Sequence, residues 1–220
     1  MDIGTGLLVH AQSNVQLYQQ LQEDGYSETE LAGIFRVYEF VRARFAGRYQ
    51  SSGRSFVCHL VGTASIMARV TRQPTLTAAG LIHSVYRTKD SRHGSREVAH
   101  SLRQPIIDAV GSEPERYALG FFQTRHHYDT LRQRVDKFQP FESNVATLLL
   151  CDDLEKLSSR NVLYGNRLEE RLRKYSRQGD DMVALAKGLG HISLSDELAQ
   201  ALKKISVAKI SPVLRHAARS

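Results

Sequence analysis

The sequence predicts an all-α fold, and three observations carry that prediction. Apolar residues recur at three- and four-residue spacing through most of the chain. Capping signals, glycines and prolines cut it into segments of helical length. Convincing strand alternation is absent, and so are internal repeats and low-complexity tracts. The chain has 220 residues, 41% hydrophobic and 24% charged, which suits one sizeable core. The expectation is a single helical bundle of about eight or nine helices. Its core would span about 27–160, with C-terminal helices over 161–206 packed on it and a tail at 207–220.

The elements follow in order. Residues 1–26 read as an N-terminal helix, because "VQLYQQLQ" is rich in helix formers but has a thin apolar face. Ser27 and Glu30 have capping-box spacing, and Leu31, Ile34, Phe35, Tyr38, Val41 and Phe45 then form one stripe. Gly47 and "SSGR" at 51–54 break the chain. A helix is expected from Ser55 to Val70, with Phe56, Leu60, Thr63, Met67 and Val70 on one side. Pro74 suits the first turn of a helix over about 75–87. "RTKDSRHGS" reads as a polar loop. Further helices are expected at about 95–110, 114–128, 142–159, 161–177, 180–190 and 195–206. Pro105, Gly111, Pro114, Pro140, Gly179 and Pro212 punctuate them.

Composition excludes several classes. No apolar run reaches the roughly 18 residues of a membrane-spanning helix. The N-terminal "MDIGTGLLVHAQ" lacks a basic segment before its apolar patch, so no signal peptide is read. Two thiols in apolar segments, Cys58 and Cys151, are too few for a zinc knuckle and fit a reduced, cytoplasmic setting. The net charge of +7 favours an anionic partner. Its Lys and Arg are spread along the chain without an aromatic interleave or a recognition helix, which argues for a small anion over nucleic acid. Oligomeric state is not encoded in any pattern here.

Three polar residues stand on apolar faces. His59 lies near Phe56 and Thr63 on its helix, and His83 lies with Leu76, Ala79 and Tyr86 on the next. Asp152 sits in "VATLLLCDDLEKL" and shares a face with Val145, Leu148 and Leu149. Any one of them reads as an ordinary hydrogen-bonded core residue, and Asp153 is an alternative inward carboxylate. Taken together they suggest more. A carboxylate hidden among leucines needs compensation, and a divalent cation coordinated by two imidazoles would supply it.

The three segments resemble the HD superfamily of helical metalloproteins, with its H…HD…D pattern. "SGRSFVCHLVGTA" looks like the "SG-x-x-[aromatic]-x-x-H-x-x-x-x-A" segment of the hydrolase domain of stringent-response alarmone enzymes, with Gly53, His59 and Ala64 in register. "TAAGLIHSVY" looks like "AALLHDVVED", and "LLLCDDLEKL" looks like "KLADRLHNL". The likeness covers about residues 48–158. It implies an HD-like helical domain, with His59, His83 and Asp152 holding a divalent metal ion (Mn, Fe, Zn or Mg). Such an ion activates water against a phosphoester. Ser84 stands where the family has the Asp of its His-Asp pair, and Arg87 and Thr88 stand at its acidic pair. These departures argue against alarmone hydrolysis itself and bring the chain closer to a bacterial HD-like branch with an "HS-x-Y" variant.

What the resemblance implies for function is a metal-dependent phosphohydrolase-like protein acting on a phosphorylated small molecule or nucleotide. Candidate catalytic groups are Ser84, as a partner of a metal-bound water, and Asp153, as a general base. Arg54, Tyr86, Arg87 and Lys89, together with Arg92, are candidate substrate-binding residues. The alternative is an HD-type non-haem iron oxygenase, which would need further ligands from His100, His126 or His127, or from His93. "RHHYD" at 125–129 looks like the paired histidines of the cyclic-dinucleotide phosphodiesterase branch. A third reading is a non-catalytic module in which the metal has been lost. His10, His191 and His216 receive no role.

Overall fold

Helix signals written into the chain become ten α-helices in the computed structural model, which describes residues 10–87, 98–124, 127–165 and 167–211. No strand occurs among the described residues; a lone bridge between Tyr49 and Ser55 closes the loop before the third helix. Helix α1 (Asn14–Glu23) is capped by a Ser13/Gln16 box and buries Leu17 and Leu21. Helix α2 (Glu28–Phe45) starts at the expected Ser27/Glu30 box and buries Ile34, Val37, Tyr38, Val41 and Phe45. Helix α3 (Phe56–Thr71) is buried continuously from His59 to Ala68. Helix α4 (Pro74–Ile82) begins at Pro74, whose missing N–H needs no partner there.

Helices α5 (His100–Val110) and α6 (Ser112–Gln123) meet at Gly111, whose φ of 91° suits glycine. A short α7 (Tyr128–Gln133) leads to α8 (Pro140–Ser158), α9 (Leu168–Gly188) and α10 (Ile192–Ser206). Helix α8 packs against α3, α4, α6, α9 and α10, and every residue from Val145 to Glu155 is buried. An element so enclosed has no wet face, so polarity along it must be answered by protein or by a bound group.

Several expectations change. Helix α4 stops at Ile82, and His83 is its C-cap, so the segment to 87 is a turn. Of the helix expected at about 95–110, α5 covers His100–Val110; Pro105 lies inside it, as that span requires, and only one backbone bond near the helix start is lost. The two helices expected at 161–177 and 180–190 are one. Gly179 runs through α9 because Leu202 of α10 packs where a side chain would stand, with a Cβ there only 3.1 Å from Leu202 Cδ1.

Two apolar clusters fill the bundle. One gathers α1, α2, α4 and the near face of α3, around Leu17, Val41, Leu60 and Leu81. The other gathers α8, α9 and α10 with Ile66 and Met67 of α3. Helices α3 and α4 cross closely: a Cβ on Gly80 would lie 2.8 Å from Ala64 Cα. That crossing sets His59 and His83 beside each other at the seam between the clusters. Among the described residues, no helix is long and apolar enough to cross a membrane.

Candidate metal centre

Three elements deliver three buried side chains to one point. His59 comes from α3, His83 from the C-cap of α4 and Asp152 from α8. Asp152 Oδ1 lies 3.2 Å from His59 Nε2 and 3.4 Å from His83 Nε2. The three ligand atoms lie within 4.8 Å of one another, and they are the one cluster of this kind among the described residues. Ligand atoms each about 2.1 Å from a common ion would stand about 3.0 Å apart at a right angle and about 3.4 Å apart at a tetrahedral angle. Both separations from Asp152 Oδ1 fall in that window.

Hydrogen bonding fixes which atoms face the point. His83 Nδ1 is 2.7 Å from the Gly80 carbonyl, which can only accept, so Nδ1 carries the proton. Burial pushes the His83 pKa down, so the ring is neutral and Nε2 keeps its lone pair. His83 Nε2 and Asp152 Oδ1 are both buried without a hydrogen-bond partner. Two acceptors facing each other without a proton between them repel, and a cation between them turns that repulsion into coordination. Ser84 Oγ is buried and unpartnered as well. These orphaned atoms fit a divalent ion held by His59, His83 and Asp152.

The charges around the cluster are arranged on both sides. Burial alone would raise the Asp152 pKa, but the Lys156 ammonium on Oδ2 and the two imidazoles hold it well below the usual carboxylate range. Burial likewise opposes charging His59, yet the Asp152 and Glu155 carboxylates outweigh it and raise its pKa. Both carboxylates thus favour positive charge at this point.

Asp153, expected as a general base, is held by its neighbours. It is buried, and its carboxylate accepts from the Tyr128 hydroxyl at 2.7 Å, the Tyr175 hydroxyl at 3.0 Å and Lys174 Nζ at 2.9 Å. Both oxygens of Asp153 are thus taken up by donors, which satisfies its buried charge, while the residue also lines the cavity beside the cluster. Arg54 is held by Glu155, Gln12 Oε1 and the Cys58 carbonyl. Tyr86 donates to Glu115, which Arg103 also grips through two bonds of 2.8 Å. Neither Arg54 nor Tyr86 lines the cavity beside the cluster. Arg87 and Ser84 do, joined by three cations that the sequence did not single out: Lys156, Arg171 and Lys174. This cavity measures about 380 Å³ and also touches His59, Phe56, Gln50 and Asn161.

His100 and His127 are exposed, at the starts of α5 and α7, and neither belongs to the cluster. They cannot complete a second metal position from there. Thr88, Lys89, Arg92, His93 and His126 lie outside the described residues. Two residues that sequence reasoning passed over belong to the surroundings of the site. Glu155 is fully buried and bonded to His59 Nδ1, and His10 Nε2 lies 3.6 Å from Glu155 Oε1. The one available signal was a glutamate one turn beyond Asp152, which on its own resembles any charged helix residue.

Fold and site together define an all-α protein with a buried His–His–Asp cluster able to hold a metal ion. A family model described as Domain of unknown function (DUF6817) matches residues 40–124. That stretch holds His59 and His83 and ends before Asp152. No curated protein matches the chain.

Proposed function

We propose that this protein is an HD-type, divalent-metal-dependent phosphohydrolase-like enzyme acting on a small phosphorylated molecule. The observation that carries the reading is the pair of orphaned atoms, His83 Nε2 and Asp152 Oδ1, 3.4 Å apart and closed off from solvent. A divalent ion bound there would supply Lewis acidity and a water of lowered pKa. The rest of the reading concerns the chain's own groups. Arg87, Lys156, Arg171 and Lys174 line the neighbouring cavity and favour an anionic ligand. Among the described lining residues Asp153 alone is acidic, and Lys174 offsets its charge. Ser84 Oγ, unpartnered at the cavity wall, can donate a hydrogen bond to a ligand oxygen or to water.

With one carboxylate and two imidazoles, the donor set favours Zn, Fe or Co over Mg. The same set also suits a mononuclear iron oxygenase, whereas a dinuclear centre loses His100 and His127 to the surface. Metal analysis of protein purified without chelators or a nickel column separates these readings. Stoichiometric metal with phosphate release from phosphorylated small molecules supports the hydrolase. Iron with an absorption change on exposure to oxygen replaces it with the oxygenase. Protein that neither carries nor binds Zn, Fe, Co or Mn sinks both and leaves a helical module.

A further inference from the structure

We infer that Glu155 is a positioning residue that sets the metal affinity of this site through His59; the inference rests on the metal reading proposed above. The two imidazoles of the cluster are anchored differently. His83 Nδ1 is held by a neutral backbone carbonyl, that of Gly80. His59 Nδ1 is held by a carboxylate oxygen, Glu155 Oε2. A carboxylate accepts only, so Nδ1 donates and His59 Nε2 is the nitrogen turned toward Asp152. A charged acceptor on the far side of a metal-binding imidazole fixes the ring and strengthens its free nitrogen as a donor.

The surroundings hold Glu155 in that position. Arg54 Nη1 binds its other oxygen, Oε1, and His10 Nε2 approaches the same oxygen at 3.6 Å. Oε2 is thereby left for His59. Gly62 of α3 supplies the room: a Cβ there would lie 2.8 Å from Glu155 Cγ and 2.8 Å from His10 Cδ2. Contacts that close force a movement, so any larger residue at 62 displaces one or both side chains. Glu155 follows Asp152 by three residues on α8, so a single helical turn carries a ligand and the group that orients a second ligand. Fully buried, with no wall in the cavity, Glu155 touches the site only through the ring of His59.

The test uses the full chain and Co²⁺ as probe, read by its visible absorption, with Zn²⁺ competition for affinity. Glu155→Gln is expected to weaken Co²⁺ binding about 10–100-fold and to alter the absorption bands, as loss of such an outer carboxylate does. Glu155→Ala should do at least as much. Gly62→Ala, which changes no charge, should weaken binding in the same direction. Glu115→Gln is the control, because it removes a buried carboxylate that is bonded to Tyr86 and Arg103 and to none of the three ligands; it should lower Tm and leave Co²⁺ affinity unchanged. Wild-type affinity and spectrum in both Glu155 variants overturn the inference while the metal reading stands. If those variants do not fold, Gly62→Ala decides: unchanged affinity overturns it and weakened affinity supports it. A wild-type chain that binds no Co²⁺ or Zn²⁺ overturns the inference and the metal reading together.

Discussion

Asp152 and Asp153 are neighbours on α8 and equally buried, yet their surroundings are opposite in kind. On the side of α7 and α9, two tyrosine hydroxyls and Lys174 enclose Asp153, and both its oxygens have donors. On the side of α3 and α4, Lys156 takes one oxygen of Asp152, while the other faces imidazole nitrogens without a hydrogen bond. The same functional group, one residue apart, is satisfied by the fold in one case and left to an added cation in the other. A buried charge without full compensation costs several kcal/mol, so the incomplete set of donors marks the binding residue. Burial alone does not, since both carboxylates share it.

The comparison breaks most sharply by exchanging the two roles. Asp152→Asn should abolish stoichiometric metal binding, read by metal analysis and by loss of any metal-induced rise in Tm. Should this variant bind metal like the parent, Asp152 is no ligand. Asp153→Ala should do the reverse. It strands two hydroxyls and an ammonium, so unfolding in denaturant should show about 3 kcal/mol less stability, with metal stoichiometry retained. A smaller effect comes from metal on the parent chain. Zn²⁺ at 100 times its Kd should add about 2.7 kcal/mol of stability, and nothing of the kind in the Asp152 variant.

The smallest changes sharpen the edges of the site. Ser84→Ala removes an unpartnered buried hydroxyl, so the metal-free protein should gain up to about 1 kcal/mol, measured by chemical denaturation. A loss of several kcal/mol would mean that Ser84 already has a partner in the metal-free state. His100→Ala and His127→Ala change exposed residues and should leave both metal affinity and stability within about 0.5 kcal/mol of the parent.

Much of this was legible in the chain. The Ser27/Glu30 cap and the stripe from Ile34 to Phe45 identified α2, because capping and amphipathicity are local properties. His59, His83 and Asp152 were readable as polar residues on apolar faces, in an order and spacing that suggested one site. Glu155 was not readable. Its meaning comes from Arg54, His10 and Gly62, which lie far away in sequence and are ordinary in isolation. The continuity of α9 through Gly179 was hidden for a similar reason, since a glycine weakens a helix locally and only Leu202 of α10 fills the space.

Between Asp152 and Asp153 the periodicity could not choose, because it assumes one dry face and one wet face. From Val145 to Glu155 helix α8 has no wet face, so the choice does not arise, and what separates the two carboxylates is which neighbours each one meets. The sequence by itself determined the all-α class, most of the helices in their order, and the types of side chain available for chemistry. The tertiary structure alone decided which buried charge would be answered by protein donors and which would be left facing two imidazoles. The physical reason is range: helix formation is governed within a turn or two, whereas the compensation of a buried charge depends on groups brought within about 3 Å by packing.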